Sequence, residues 1–157
     1  MKTKHRKSAR AKRHQRINPF AAFDLIKKHS EPPNALVVEV VAAVNECFNY
    51  LRNSGRDVNK FNIVASALNV SLVRAEKIDP LAEQTMNLGI AAMNNAAARK
   101  AKTGHYGFSG PEMIDMQNAL DFYAQVFSLS TGAQMDDAIQ ECQRRMEEQA
   151  KAEGVTL

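Results

Sequence analysis

NALVVEVVAAVNECFNYLRNSG, residues 34–55, decides the fold. Val37, Val41, Val44, Phe48 and Leu51 recur at intervals of four, three, four and three, the stepping of an amphipathic helix and of a bundle seam. Pro32 and Pro33 break the chain ahead of it and Gly55 stops it, so the pattern predicts a helix over about 34–54. The stepping returns downstream. Asp57 is placed to cap a helix over about 58–78, with Phe61, Val64, Leu68, Leu72 and Ala75 on one face. Asp79-Pro80 pairs a capping side chain with a first-turn proline and opens a helix over about 80–102, with Met86, Ile90, Met93 and Ala97 as its seam. The many alanines of that helix would let a neighbour approach closely.

Ser109 and Glu112 have capping-box spacing, with Pro111 in the first turn of a helix to about 128. Met113, Met116, Leu120, Tyr123 and Phe127 form its seam. Ser130 or Thr131 caps a last helix that ends before Gly154, with Met135, Ile139, Cys142 and Met146 inward. Upstream, Asn18-Pro19 opens a short helix over about 19–29 that points Phe20, Phe23 and Ile26 at the body. No strand alternation or hairpin signal interrupts this succession. With connections of about two to eight residues, the expected fold is all-α, an antiparallel helical bundle of five to six helices crossing at shallow angles.

The charge distribution is as uneven as the hydropathy is regular. Residues 1–16, MKTKHRKSARAKRHQR, hold eight Lys or Arg and no acid, and the first acid is Asp24. The chain has 21 Lys plus Arg against 17 Asp plus Glu, so removing those eight cations leaves 13 against 17, a body of −4. The segment has almost nothing apolar to bury and its like charges repel, so residues 1–16 are expected to be a disordered basic arm and 17–157 a single helical domain. A body of this size can bury about two-thirds of its unfolded surface without a metal or disulfide. Cys47 and Cys142 lie far apart inside helical patterns, which favours two buried free thiols. No stretch has the apolar length of a membrane span and no apolar core follows the basic start, so a soluble cytoplasmic protein is expected.

The helix succession, the loop before SGPE and the LSTGAQMDDAIQ start of the last helix resemble a family of small, uncharacterised all-helical proteins from phages and mobile elements of proteobacteria. Those proteins often begin with a short Lys/Arg-rich arm and share helices patterned like NIVASALNVSLVRAE and LDFYAQVF. The similarity covers roughly residues 34–150. It implies an accessory phage role, and it implies no catalytic residues.

Among candidate sites the arm is the strongest. Lys2, Lys4, Arg6, Lys7, Arg10, Lys12, Arg13 and Arg16 can each neutralise a phosphate, for a salt slope as steep as about −7 on B-DNA. Without aromatics or a helix to present an edge pattern, the arm is suited to phosphate contact on DNA or RNA rather than to reading sequence. The competing reading is a solubilising tail, or one that folds onto body acids such as Asp136, Asp137, Glu141, Glu147 and Glu148.

In the body, Arg99, Lys100, Lys102, His105 and Tyr106 surround a loop with Gly104, Gly107 and Gly110, a setting that suits an anion or a partner. The favoured alternative is an inter-helix connection whose Tyr106 and Phe108 cap the core. Arg52, Arg56 and Lys60 flank the turn at Gly55, but the helix that follows is too long and apolar for the recognition helix of a helix-turn-helix. The histidines His5, His14, His29 and His105 have no ligand spacing, no serine sits in a nucleophile elbow, and neighbouring acids point to different sides of a helix. No enzyme, metal or cofactor is therefore expected.

Two roles follow. The first is a non-enzymatic helical accessory protein that contacts nucleic acid through the arm while its bundle docks on a partner. The second is a phage- or mobile-element-encoded interaction module, an inhibitor or adaptor of a host complex, that acts through its acidic helical body.

Overall fold

The computed structural model describes residues 34–154. The basic arm and the helix expected over about 19–29 lie outside the described residues. Five helices follow one another: α1 Asn34–Arg52, α2 Val58–Ala75, α3 Pro80–Thr103, α4 Gly110–Leu129 and α5 Gly132–Ala152. No strand occurs among the described residues.

The helix starts are set by side chains that satisfy otherwise orphaned backbone N–H groups. Asp57 accepts from the N–H groups of Asn59 and Lys60, and Asp79 from that of Leu81 with Pro80 in the first turn. Ser109 and Glu112 close a capping box, and Thr131 closes another with Gln134. The choice between Ser130 and Thr131 thus falls to Thr131. Ser130 is instead buried, its hydroxyl donating to the Val126 carbonyl at 2.7 Å and accepting from Arg74 Nε at 3.1 Å. That contact ties the end of α2 to the α4–α5 corner.

Two helix ends come early. α1 stops at Arg52, because Ser54 takes the left-handed conformation (φ 63°) and the Gly55 N–H returns to the Leu51 carbonyl. α2 stops at Ala75, where Ile78 and Asp79 both donate to the Ala75 carbonyl in a tight turn.

The core is organised around α2, which packs against each of the other four helices. That position explains its burial pattern. Val64, Ala67, Leu68, Val70, Ser71, Val73 and Ala75 are all buried, several faces rather than one seam. Phe61 and Leu72, expected on the seam, are only partly buried. In α1 the seam turns toward Val40, Val44, Cys47 and Leu51, leaving Val37 and Val41 half-buried beside Phe48. In α3 it turns toward Ala82, Met86, Gly89, Met93 and Ala96, and Ile90 moves to the margin. Cys47 and Cys142 are buried free thiols, and burial raises both pKa values.

Met146 corrects the sequence reading outright. Expected inward, it is 56% exposed. The packing of α5 is chiefly against α2, and a single partner does not cover a helix of this length. Its buried face runs Met135, Ala138, Ile139, Cys142, and every residue from 143 to 149 is exposed. Met146 sits at the rim of a groove of about 160 Å³ lined by Asn69, Leu72, Val73 and Cys142.

Candidate functional site

The candidate loop leaves α3 through Gly104, which caps the helix with φ 82° and sends its N–H to the Lys100 carbonyl. A residue with a side chain rarely adopts that conformation, so the glycine is required here. The loop then crosses the α1–α2 turn. The Tyr106 N–H donates to the Gly55 carbonyl at 2.9 Å. The Tyr106 ring lies parallel to Phe61 of α2 with centroids 4.7 Å apart, and Phe108 meets Phe48 of α1 edge-on at 5.3 Å. Two aromatic plugs therefore fasten the loop to the bundle.

The cations around it are engaged by the protein itself. Arg99 grips Glu112 with both arms of its guanidinium, Nη1 to Oε2 at 2.6 Å and Nη2 to Oε1 at 2.8 Å, and Nη1 also reaches the Gly107 carbonyl at 2.9 Å. Glu112 further accepts from Asn95 Nδ2 at 2.9 Å and from the Ser109 N–H at 2.7 Å. These donors, Arg99 above all, hold its carboxyl at about 2 against an ordinary 4.5. Lys100 lies over the Tyr106 ring, 4.6 Å from its centroid, and its ammonium donates to the tyrosine hydroxyl at 3.2 Å. His105 turns Nδ1 back to the Thr103 carbonyl at 3.2 Å. Lys102 is exposed.

The structure thus brings Arg99, Lys100, His105 and Tyr106 together, and the anion at the N-terminus of α4 is the protein's own Glu112. The helix dipole, the Ser109 N–H and Arg99 all favour a carboxylate there. The residues that sequence reasoning missed are Glu112 as the charged anchor, Asn95, Phe61 and Gly55. The capping-box spacing pointed to Glu112 only as a local cap. Nothing in the spacing of Arg99 and Glu112 marks them as a pair across a loop.

A second charged cluster links α5 to the end of α2. Glu141 accepts from Arg144 and Arg145, Arg145 also forks onto Glu76 at 2.7 Å, and Arg144 pairs with Glu148. The two arginines hold the Glu141 carboxyl near 2. The cluster borders an open polar groove of about 530 Å³ that also touches Lys77, Asp137 and Gln140. Among the described residues no group of three or more His, Cys, Asp or Glu side chains is placed to hold a metal ion, and no helix is long and apolar enough to cross a membrane. The arm residues Lys2, Lys4, Arg6, Lys7, Arg10, Lys12, Arg13 and Arg16 lie outside the described residues. No family model, curated protein or solved structure matches the chain.

Proposed function

We propose that this chain is a small, non-enzymatic helical accessory protein that contacts nucleic acid through its basic N-terminal segment. One observation carries the reading: eight Lys or Arg and no acid in residues 1–16, set on a remainder with 13 cations against 17 acids. A body of net negative charge does not bind a polyanion by bulk attraction, so the segregated cations are the natural phosphate contact. The capped helices and shared core supply a rigid carrier for that contact. The five-to-six-helix antiparallel arrangement, a cytoplasmic location and an accessory role in a phage or mobile element belong to the same proposal.

The test compares the full chain with a Δ2–16 variant against mixed-sequence DNA and RNA across a salt series. Deletion is expected to flatten the salt slope by up to about 7 and to lower affinity at low salt by about a hundredfold or more. Helicity should be unchanged. Equal binding by the truncated protein overturns the reading and moves the decisive contact to a protein partner of the acidic body.

A further inference from the structure

Two basic stretches separated by about forty residues in sequence meet at one end of the bundle. Arg52, Arg56 and Lys60 flank the α1–α2 turn, and Arg99, Lys100 and Lys102 occupy the last turns of α3. The Tyr106–Gly55 hydrogen bond and the Tyr106–Phe61 stack clamp these two segments together. Residues 52–60 and 99–112 together hold six Lys or Arg against two acids, Asp57 and Glu112, for a balance of +4. The rest of residues 34–157 holds five cations against thirteen acids, or −8. Moving Glu46 and Asp115, which lie farther along their helices, into the first group still leaves +2 against −6.

The two acids at this end are already engaged. The Asp57 carboxylate caps α2 and Glu112 is held by Arg99. Arg52, Arg56 and Lys102 are exposed and form no ion pair with a described residue. Lys60 has an aromatic neighbour rather than an anion, the 43%-exposed Tyr50 ring 5.4 Å away.

We propose that this end of the bundle is a second phosphate-binding face, which grips the backbone of the same nucleic acid as the N-terminal segment. The proposal rests on the nucleic-acid reading for its class of partner, and charge complementarity argues for that partner. The exposed guanidinium groups of Arg52 and Arg56 and the exposed ammonium of Lys102 suit phosphate oxygens rather than base edges. Reach is sufficient. α1 is about 28 Å long, and the seventeen residues 17–33 that precede it can span about 37 Å even with the helix expected over about 19–29. One nucleic acid can thus meet both basic regions.

The experiment measures binding of the full chain to a mixed-sequence DNA duplex, and to RNA of the same sequence, by fluorescence anisotropy across a salt series. Arg56→Glu with Lys102→Glu is compared with Lys77→Glu plus Arg144→Glu, which changes net charge equally but lies on the groove beyond the far end of α2. The first pair is expected to weaken binding about tenfold or more and to lower the salt slope by about 2. The control pair should stay within about threefold of the unaltered chain. Equal losses in both pairs, or no loss in the first, overturn the proposal. Arg56→Gln with Lys102→Gln repeats the test without reversing charge, and urea unfolding checks that each variant stays folded.

The Δ2–16 chain run in parallel separates the two claims. If it binds like the full chain while Arg56→Glu with Lys102→Glu fails, the face stands and the N-terminal reading falls. If Δ2–16 fails while that charge-reversed pair binds normally, the face falls alone. Absence of binding by the full chain overturns both.

Discussion

At Glu112 one buried carboxylate accepts four hydrogen bonds, two from Arg99 and one each from Asn95 and Ser109. Its pKa is near 2 folded and near 4.5 free, so the folded state binds fewer protons between those values. The stabilisation is complete above about pH 4.5 and is lost as pH falls through 2. Arg99 is partly exposed, and water screens part of that gain. Glu112→Gln is therefore expected to lower stability by about 1–3 kcal/mol at pH 7. In urea titrations the gap between variant and wild type should narrow steadily from pH 5 toward pH 2. A gap that does not change with pH would show that the ion pair contributes nothing. Residue chemistry also shows where a sequence rule misleads. Gly55 looks like the left-handed helix stop, yet Ser54 takes that conformation. Gly55 is needed for space instead, since a Cβ there would lie 2.5 Å from the Tyr50 ring and 2.6 Å from its carbonyl oxygen.

Among elements, the α3–α4 contact departs most from a seam of large side chains. A Cβ built on Gly89 would lie 2.4 Å from the Ala119 Cβ, and that atom is fixed to a helix backbone. The close approach anticipated from the alanines of α3 is thus centred on its glycine. Gly89→Ala gains up to about 1 kcal/mol of helix propensity but forces two packed helices apart, which costs about 1–3 kcal/mol. The expected result is a net loss of stability in thermal or denaturant unfolding. Ala119→Gly in the same chain should recover most of it by exchanging the two sizes across the contact. If the second change adds to the loss rather than reversing it, the two positions are not in register.

For the molecule as a whole, the contact pattern sets an order of local stability. α2 touches every other helix, while α5 packs chiefly on α2 and is exposed from residue 143 to 149. Helices with few buried contacts open at lower free energy than the global unfolding. Native-state hydrogen exchange should find the amides of residues 143–152 opening at least about 2 kcal/mol below those of Leu68–Val73. Uniform protection along α5 and α2 would show that α5 is supported by more than its one interface. Charge follows the same large-scale logic, because the tertiary contacts gather six cations at one end of a body whose overall balance is negative. The two binding tests above separate that end from the N-terminal segment.

The sequence by itself determined the helical class, the described helices to within about three residues at their ends, and the caps at Asp57, Asp79 and Ser109, with the last cap narrowed to Ser130 or Thr131. These features rest on interactions within a turn or two of the chain, where spacing alone states the chemistry. It also showed the segregation of charge into residues 1–16. Only the tertiary structure decided which face of each helix is buried, because that depends on how many neighbours surround it. α2 has four and is buried on several sides; α5 has one main neighbour and leaves Met146 outside. Only the tertiary structure, too, joined Arg99 to Glu112 and Tyr106 to Gly55 and Phe61. Periodicity says where a side chain lies around its own helix, and it carries no information about which other element arrives there.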